Sequence, residues 1–258
     1  MVTLNGPPDG VVLDGHTGYL SIASPKTASS PARLLLLDAN GRWLHDDPLP
    51  GGGPLRLAVN ARTEQLVAAH DASVSIVDVR SGVLLQTLSM KQGVSAVAVD
   101  ERRNLLYIAS GSTAACSGPS GCSSPWRSTV RIVSMRDRRL LRTLNLDSQI
   151  VFMAKDSRAN RLVVVGLSKV VQHVVYILDA WTGRLLYSLP LGQSGAQMVV
   201  DEASGRTSCF TRLGMFFTNQ SGTVSRCRAW TVCGPPGVSM RRGRRCSAMP
   251  SSRLMRVI

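Results

Sequence analysis

The side chains in this sequence that could do chemistry are cysteines, histidines, recurring carboxylates and a run of arginines. Cys116 and Cys122 stand in the stretch Gly111–Trp126, which is rich in Ser, Gly and Pro and therefore reads as loop. The pair fits a disulfide that staples the loop, which implies an oxidising compartment, or two unpaired thiols. A metal site fits less well, because no histidine or further cysteine stands beside them at ligand spacing. His16, His45, His70 and His173 share no spacing of the His-Glu-x-x-His kind and read as structural or solvated. Neither a nucleophile elbow, a phosphate loop nor a dinucleotide fingerprint occurs. The expectation is no catalytic residue, no metal and no cofactor.

The carboxylates are more informative because they recur. An Asp or Asn ends an apolar stretch at Asp14, Asn60, Asp100, Asp156 and Asp201, and four residues later stands Gly18, Glu64, Asn104, Asn160 or Gly205. An Asp or Asn side chain accepts turn N–H groups, and Gly or Asn tolerates the left-handed backbone that closes a tight hairpin. Glu64 is the poor match, so a looser turn is expected there. A second carboxylate follows in Leu-Leu-Leu-Leu-Asp38, Val-Ser-Ile-Val-Asp78 and Val-Tyr-Ile-Leu-Asp179, with Ser134 at the corresponding place in Val-Arg-Ile-Val-Ser134. Recurrence at one place in each repeat argues for turn capping over acid–base catalysis.

These turns need strands to join them. Val94–Asp100 with Leu105–Ser110, and Val130–Ser134 with Leu140–Leu144, are two hairpins in succession, hence one four-stranded antiparallel sheet. The first signature repeats after 46, 40, 56 and 45 residues, and a four-strand unit with a period in the forties is the pattern of a propeller blade. Leu34–Leu37 and Leu162–Val165 are apolar on both faces, as strands covered on both sides are. A sandwich would show more half-polar alternation and no fixed period. The fold class expected is therefore all-β, an incomplete β-propeller of about four blades plus the start of a fifth. Residues 1–205 form the partial propeller, with blades at about 8–53, 54–93, 94–149 and 150–195 and a fifth begun at 196. The long loops of blades one and three, Ser24–Pro31 and Gly111–Trp126, both join second to third strands. They should emerge at one end, the expected working surface. A channel site would instead draw on the first-strand residues just before each turn Asp, where Lys155 is the only polar side chain to stand out. Trp43, Trp126 and Trp181 fall in turns or loops and read as packed against neighbouring blades, or as partner anchors.

The 258 residues carry a net charge of +14, which invites a nucleic-acid reading. Its distribution argues otherwise. From Thr207 to Ile258 there are nine Arg and no Asp, Glu or Lys, and the same stretch holds Cys209, Cys227, Cys233 and Cys246. Arg241–Arg245 resembles a nucleic-acid patch but has no aromatic residue after Trp230 to offer a stacking platform. Residues 206–258 read as an irregular Arg/Cys/Ser-rich tail, translated out of frame or disordered. No apolar run reaches the roughly 18 residues of a membrane helix, and residues 1–20 lack the basic start and apolar core of a signal peptide.

The paired signatures resemble the YVTN-type β-propeller repeats of surface-layer and lactonase-like propeller proteins. Ala98-Val-Asp100 through Leu106-Tyr-Ile-Ala-Ser110 matches the first half of that repeat, with Ser110 in place of the usual Asn. Val74–Gly82 and Tyr176–Gly183 match the second half. The resemblance covers about residues 8–205 and implies the fold. It also implies that intact relatives are often exported, and it transfers no catalytic residue. The function expected is a non-catalytic scaffold that binds a protein or small-molecule ligand, in a truncated or frameshifted fragment of a longer propeller. The alternative is a propeller enzyme, lactonase-like or oxidoreductase-like, with its site on the central channel.

Overall fold

Alternating apolar strands and Asp-capped turns fold here into a succession of four-stranded antiparallel sheets. In the computed structural model the described residues are 8–24, 26–28, 30–48, 56–111, 127–157, 159–167 and 173–192, then the strands at 196–201, 206–211, 214–218, 224–228 and 246–248. From residue 192 onward the backbone alone is described. Cys116, Cys122, Trp126, Gly51–Gly53 and Arg241–Arg245 lie outside the described residues.

The first sheet runs β1 (Gly10–Leu13), β2 (Leu20–Ser24), β3 (Arg33–Leu37) and β4 (Trp43–Pro48) in spatial order. The second is β5 (Arg56–Asn60), β6 (Gln65–His70), β7 (Ser73–Asp78) and β8 (Leu84–Ser89), and the third is β9 (Val94–Asp100), β10 (Leu105–Gly111), β11 (Ser128–Ser134) and β12 (Leu140–Leu146). A fourth follows with β13 (Gln149–Asp156), β14 (Arg161–Leu167), β15 (His173–Asp179) and β16 (Leu185–Gly192). The fifth holds β17 (Ala196–Asp201), β18 (Arg206–Thr211), β19 (Gly214–Thr218), β20 (Val224–Arg228) and β21 (Cys246–Ala248). Strand pairing thus continues past residue 205, into the stretch expected from sequence to be an irregular tail. The described residues include no helix long and apolar enough to cross a membrane.

The chain divides into two compact units, Met1–Met153 and Ala154–Ile258. In the first, blades one, two and three stack face to face. Leu34, Leu36 and Ala23 of blade one meet Leu66, Ala68 and Val77 of blade two. The other face of blade two, Val67, Ala69, Val74 and Ile76, meets Val97, Leu106, Ile108 and Val133 of blade three. Middle strands lose water on both faces, so β6 and β10 are buried almost throughout, while the outer strands β4, β8 and β12 remain largely exposed. Each fully buried Leu or Ile contributes roughly 1.5–3 kcal/mol, which makes stacking the leading stabilising contribution. In the second unit, Val163, Val165, Val175, Ile177, Leu189 and Leu191 form a core of their own.

The turns follow the chemistry expected of them. Asp14 Oδ1 accepts the N–H groups of His16 and Thr17 at 2.8 and 3.3 Å, and Asp100 and Asp156 accept those of Arg103 and Ala159 at 3.1 Å. Gly18, Asn104 and Asn160 take the left-handed conformation. Glu64 does so too, with φ of 54°, so the looser turn expected there does not occur. Thr63 N–H reaches Asn60 O and Oδ1 at 3.3 Å, the length that Thr17 N–H has to Asp14 Oδ1. In the second turn of each repeat, Asp38, Asp78 and Asp179 each accept two backbone N–H groups. These bonds hold all three carboxylates below their ordinary value. At Asp78 the Ser81 N–H leads; at Asp179 burial pulls the other way and is outweighed by Thr182 and Trp181.

Candidate functional site

Antiparallel order puts the start of every first strand and the loop between second and third strands at the same end of a blade. At that end of the first unit lies a cavity of about 350 Å³, within the range of small-ligand sites. Its wall is built from the starts of three successive first strands: Arg56 of β5, Val94 and Ser95 of β9, and Gln149, Ile150 and Val151 of β13. Asp71, from the β6–β7 turn, together with Gly111 and Ser128 at the mouth of the blade-three loop, completes it.

Backbone and side-chain bonds fix this wall. Arg56 Nε–H donates to Ser95 O at 3.1 Å, bridging the first strands of blades two and three. Ser95 Oγ–H donates to Ala109 O at 3.4 Å, and buried Ser128 Oγ accepts Ile150 N–H at 3.0 Å. The link between blades two and three is pinned to the β6–β7 turn, with Val94 N–H on Asp71 O at 2.6 Å and Met90 N–H on Ala72 O at 2.7 Å. Two glycines differ in what they leave open. A Cβ on Gly111 would stand 2.6 Å from Ser128 Oγ and 2.9 Å from Arg127 O, whereas one on Gly93 would meet only Asp71 O, at 3.8 Å. The lining thus combines apolar Val94, Ile150 and Val151 with polar Arg56, Asp71, Ser95 and Gln149. It holds a guanidinium, a carboxylate, two hydroxyls and an amide.

His70 ends β6 beside Asp71. It is 4% exposed, its Nε2 lies 3.1 Å from Ser73 Oγ, and its Nδ1 is buried without a hydrogen-bond partner among the described residues. Burial lowers its pKa below 6.5, with Asp71 opposing. The unfolded chain therefore takes up a proton first as pH falls below 6.5, and stability drops from there down to the folded pKa. Wild type should melt at a lower temperature at pH 5 than at pH 7.5, and His70→Phe should flatten that difference. An identical drop in both proteins would show that His70 does not titrate this way.

The alternative read from sequence, a channel site, lies at the far ends of the first strands; the end expected to be the working surface is the near one, where the loops of blades one and three emerge. The cavity is at the near ends. Lys155, singled out on that basis, is 4% exposed and donates from Nζ to Asp156 O at 3.0 Å, away from the cavity wall. The recurrent carboxylates serve the turns. His45 donates from Nε2 to Arg80 O at 3.1 Å, joining blade one to a blade-two turn. Trp43 and Trp181 are 45% and 44% exposed rather than packed between blades. Among the described residues no group of three His, Cys, Asp or Glu converges as a metal site would require. Arg56 escaped notice because each blade starts its first strand differently, with Gly10, Arg56, Val94 or Gln149.

Solved structures with this arrangement are β-propeller proteins. The chain superposes on Kuenenia stuttgartiensis hydrazine synthase with a TM-score of 0.66 at 15% identity, covering 88% of this chain and 68% of that one. It superposes on the β-propeller domain of Cps50 (Swd1) from Myceliophteria thermophila with a TM-score of 0.62 at 11% identity, covering 83% of this chain and 65% of that one. The chain therefore spans about two thirds of the length of these structures. Identity this low shows the fold alone, an incomplete β-propeller of four-stranded antiparallel blades. No protein-family description matches the sequence, and no curated protein matches it.

Proposed function

We propose that this chain is a non-catalytic propeller of the YVTN-repeat type that holds a ligand in the cavity at the entry ends of its first strands. The observation that carries the reading is the cavity wall itself: three successive blades each supply the start of a first strand, and one bridging arginine ties two of them together. A pre-formed concave site with an apolar lining and a few fixed polar groups is how small-molecule recognition is usually built. Catalysis would need a nucleophile held by a base, or paired carboxylates, facing this space. On the described wall the one carboxylate is Asp71, and the Ser128 hydroxyl is engaged by the Ile150 amide.

Gly93 supplies the test. It is exposed, and a side chain there meets no backbone closer than ordinary contact. Gly93→Trp should therefore occupy the cavity mouth with little change in melting temperature. Fluorine-labelled fragments observed by NMR should bind wild type and lose about tenfold or more in affinity, roughly 1.4 kcal/mol, in Gly93→Trp. Binding that ignores the substitution, or an absence of binding to wild type, sinks the reading.

We further propose that residues 206–258 are read from a shifted frame, supported by the complete lack of acidic residues and lysine after Arg206. Translating the gene in its other frames decides the matter: they should encode Val-Asp-type strands across this region, and their absence would leave a true basic tail.

A further inference from the structure

At the opposite end of blade three two turns lie side by side, Asp100–Asn104 and Ser134–Arg139, joined by Met135 N–H on Asn104 O at 3.0 Å. They present Arg102, Arg103, Arg136, Arg138 and Arg139, all exposed, against Glu101 and Asp137. Both acids also serve the backbone or the turn: Glu101 Oε1 accepts Ala61 N–H at 3.2 Å, and Asp137 Oδ2 accepts the Ser134 hydroxyl at 3.1 Å. The corresponding turns of blade one, residues 14–18 and 38–42, carry the single arginine Arg42. Those of blade two carry Arg62 and Arg80, the latter paired with Glu64 at 2.6 Å.

The repeat does not require this charge, and in one place it opposes it. Gly41, Gly82 and Gly183 close the second turn of blades one, two and four with φ of 75°, 68° and 73°. Blade three puts Arg138 there, at φ of 58°. A non-glycine residue in that region is strained, and strain retained against an available glycine points to a role outside folding. Leu140 and Leu141, 52% and 37% exposed, are the first two residues of β12, an outer strand at the edge of its sheet.

We propose that these twin turns dock an extended, acidic segment of a partner protein, whose carboxylates meet the arginine forks and whose apolar side chains cover Leu140 and Leu141. Arginine without lysine suits planar, two-oxygen anions. A peptide chain also offers apolar contacts and strand pairing to the β12 edge, which a phosphate backbone does not. The patch has no aromatic side chain on which a base could stack. This surface is independent of the cavity and stands or falls separately.

The full chain would be titrated, at low and at physiological salt, with a fluorescein-labelled peptide of glutamate and aspartate interrupted by leucine. Parallel titrations would use its Gln/Asn counterpart, duplex DNA and phosphatidylserine vesicles. The acidic peptide should bind wild type best, and more weakly as salt rises. Arg136→Ser with Arg139→Ser should weaken it about tenfold. Arg138→Gly should weaken it too while raising the melting temperature by about 2–4 °C, a combination that a merely structural arginine would not give. No binding to wild type overturns the proposal. So does a preference for DNA or vesicles, variants that bind as well as wild type, or a melting temperature that falls in Arg138→Gly.

Discussion

Leu106→Ala is expected to remove about 3–5 kcal/mol of stability, much of the 5–15 kcal/mol that a typical domain has. Leu106 is 0% exposed and sits in β10 among Val67 and Ile76 of blade two and Val97, Val133 and Met135 of its own blade. Two costs add here. The deleted atoms lose their transfer free energy, and the space they leave cannot close, because β10 is hydrogen-bonded on both edges, to β9 and to β11. The neighbouring blade is no freer to move. Asn60 Nδ2–H donates to Asn104 Oδ1 at 2.8 Å across the two turns, and Arg56 bridges to Ser95 at the other end. Leu84→Ala, at a side chain 55% exposed on β8, should cost less than about 0.5 kcal/mol. Urea unfolding followed by circular dichroism compares them; a loss below about 1 kcal/mol at Leu106 would mean the blades are not tightly stacked there.

Gly82→Val should cost about 3 kcal/mol, from two separable causes. Gly82 has φ of 68°, where any side chain is strained and a β-branched one most. A Cβ there would also stand 2.7 Å from His45 Cγ and Nδ1. The ring cannot swing aside cheaply, since its Nε2–H holds Arg80 O. Gly41 is the control: its φ is 75°, but a Cβ there meets nothing within 4 Å. Gly41→Ala should therefore lose about 1–2 kcal/mol from backbone strain alone. Gly82→Ala should lose more, and His45→Ala in the same protein should recover the excess. Equal losses at Gly41 and Gly82 by denaturant unfolding would show that the histidine contact has no energetic weight.

Turn chemistry was legible in the sequence because it is local. An Asp or Asn four residues before a left-handed position satisfies its own hairpin, so Asp14, Asn60, Asp100 and Asp156 announced their turns without knowledge of the fold. The period then announced blades, and the doubly apolar runs at Leu34–Leu37 and Leu162–Val165 marked strands covered on both faces. Glu64 misled because residue type predicts only the ease of a left-handed backbone, and the flanking hydrogen bonds of β5 and β6 impose it regardless. The cavity was illegible for the opposite reason. Its wall is assembled across three blades from Arg56, Ser95 and Gln149, which occupy no shared motif. The long loops of blades one and three pointed to the end at which it lies, but no motif named the residues of its wall. Arg138 was visible as one more arginine; only registering it against Gly41, Gly82 and Gly183 reveals that it holds a conformation the other blades give to glycine.

Within the first unit, blade two commits both of its faces to neighbours: Leu66, Ala68 and Val77 on one side, Val67, Val74 and Ile76 on the other. A lesion in blade one can be quarantined at a single boundary, whereas one in blade two loosens two boundaries at once. Evolution should therefore hold residues 56–89 on a shorter leash than residues 10–48. Drift should collect on blade one, where a new loop or a new charge can be tried without endangering the middle of the stack.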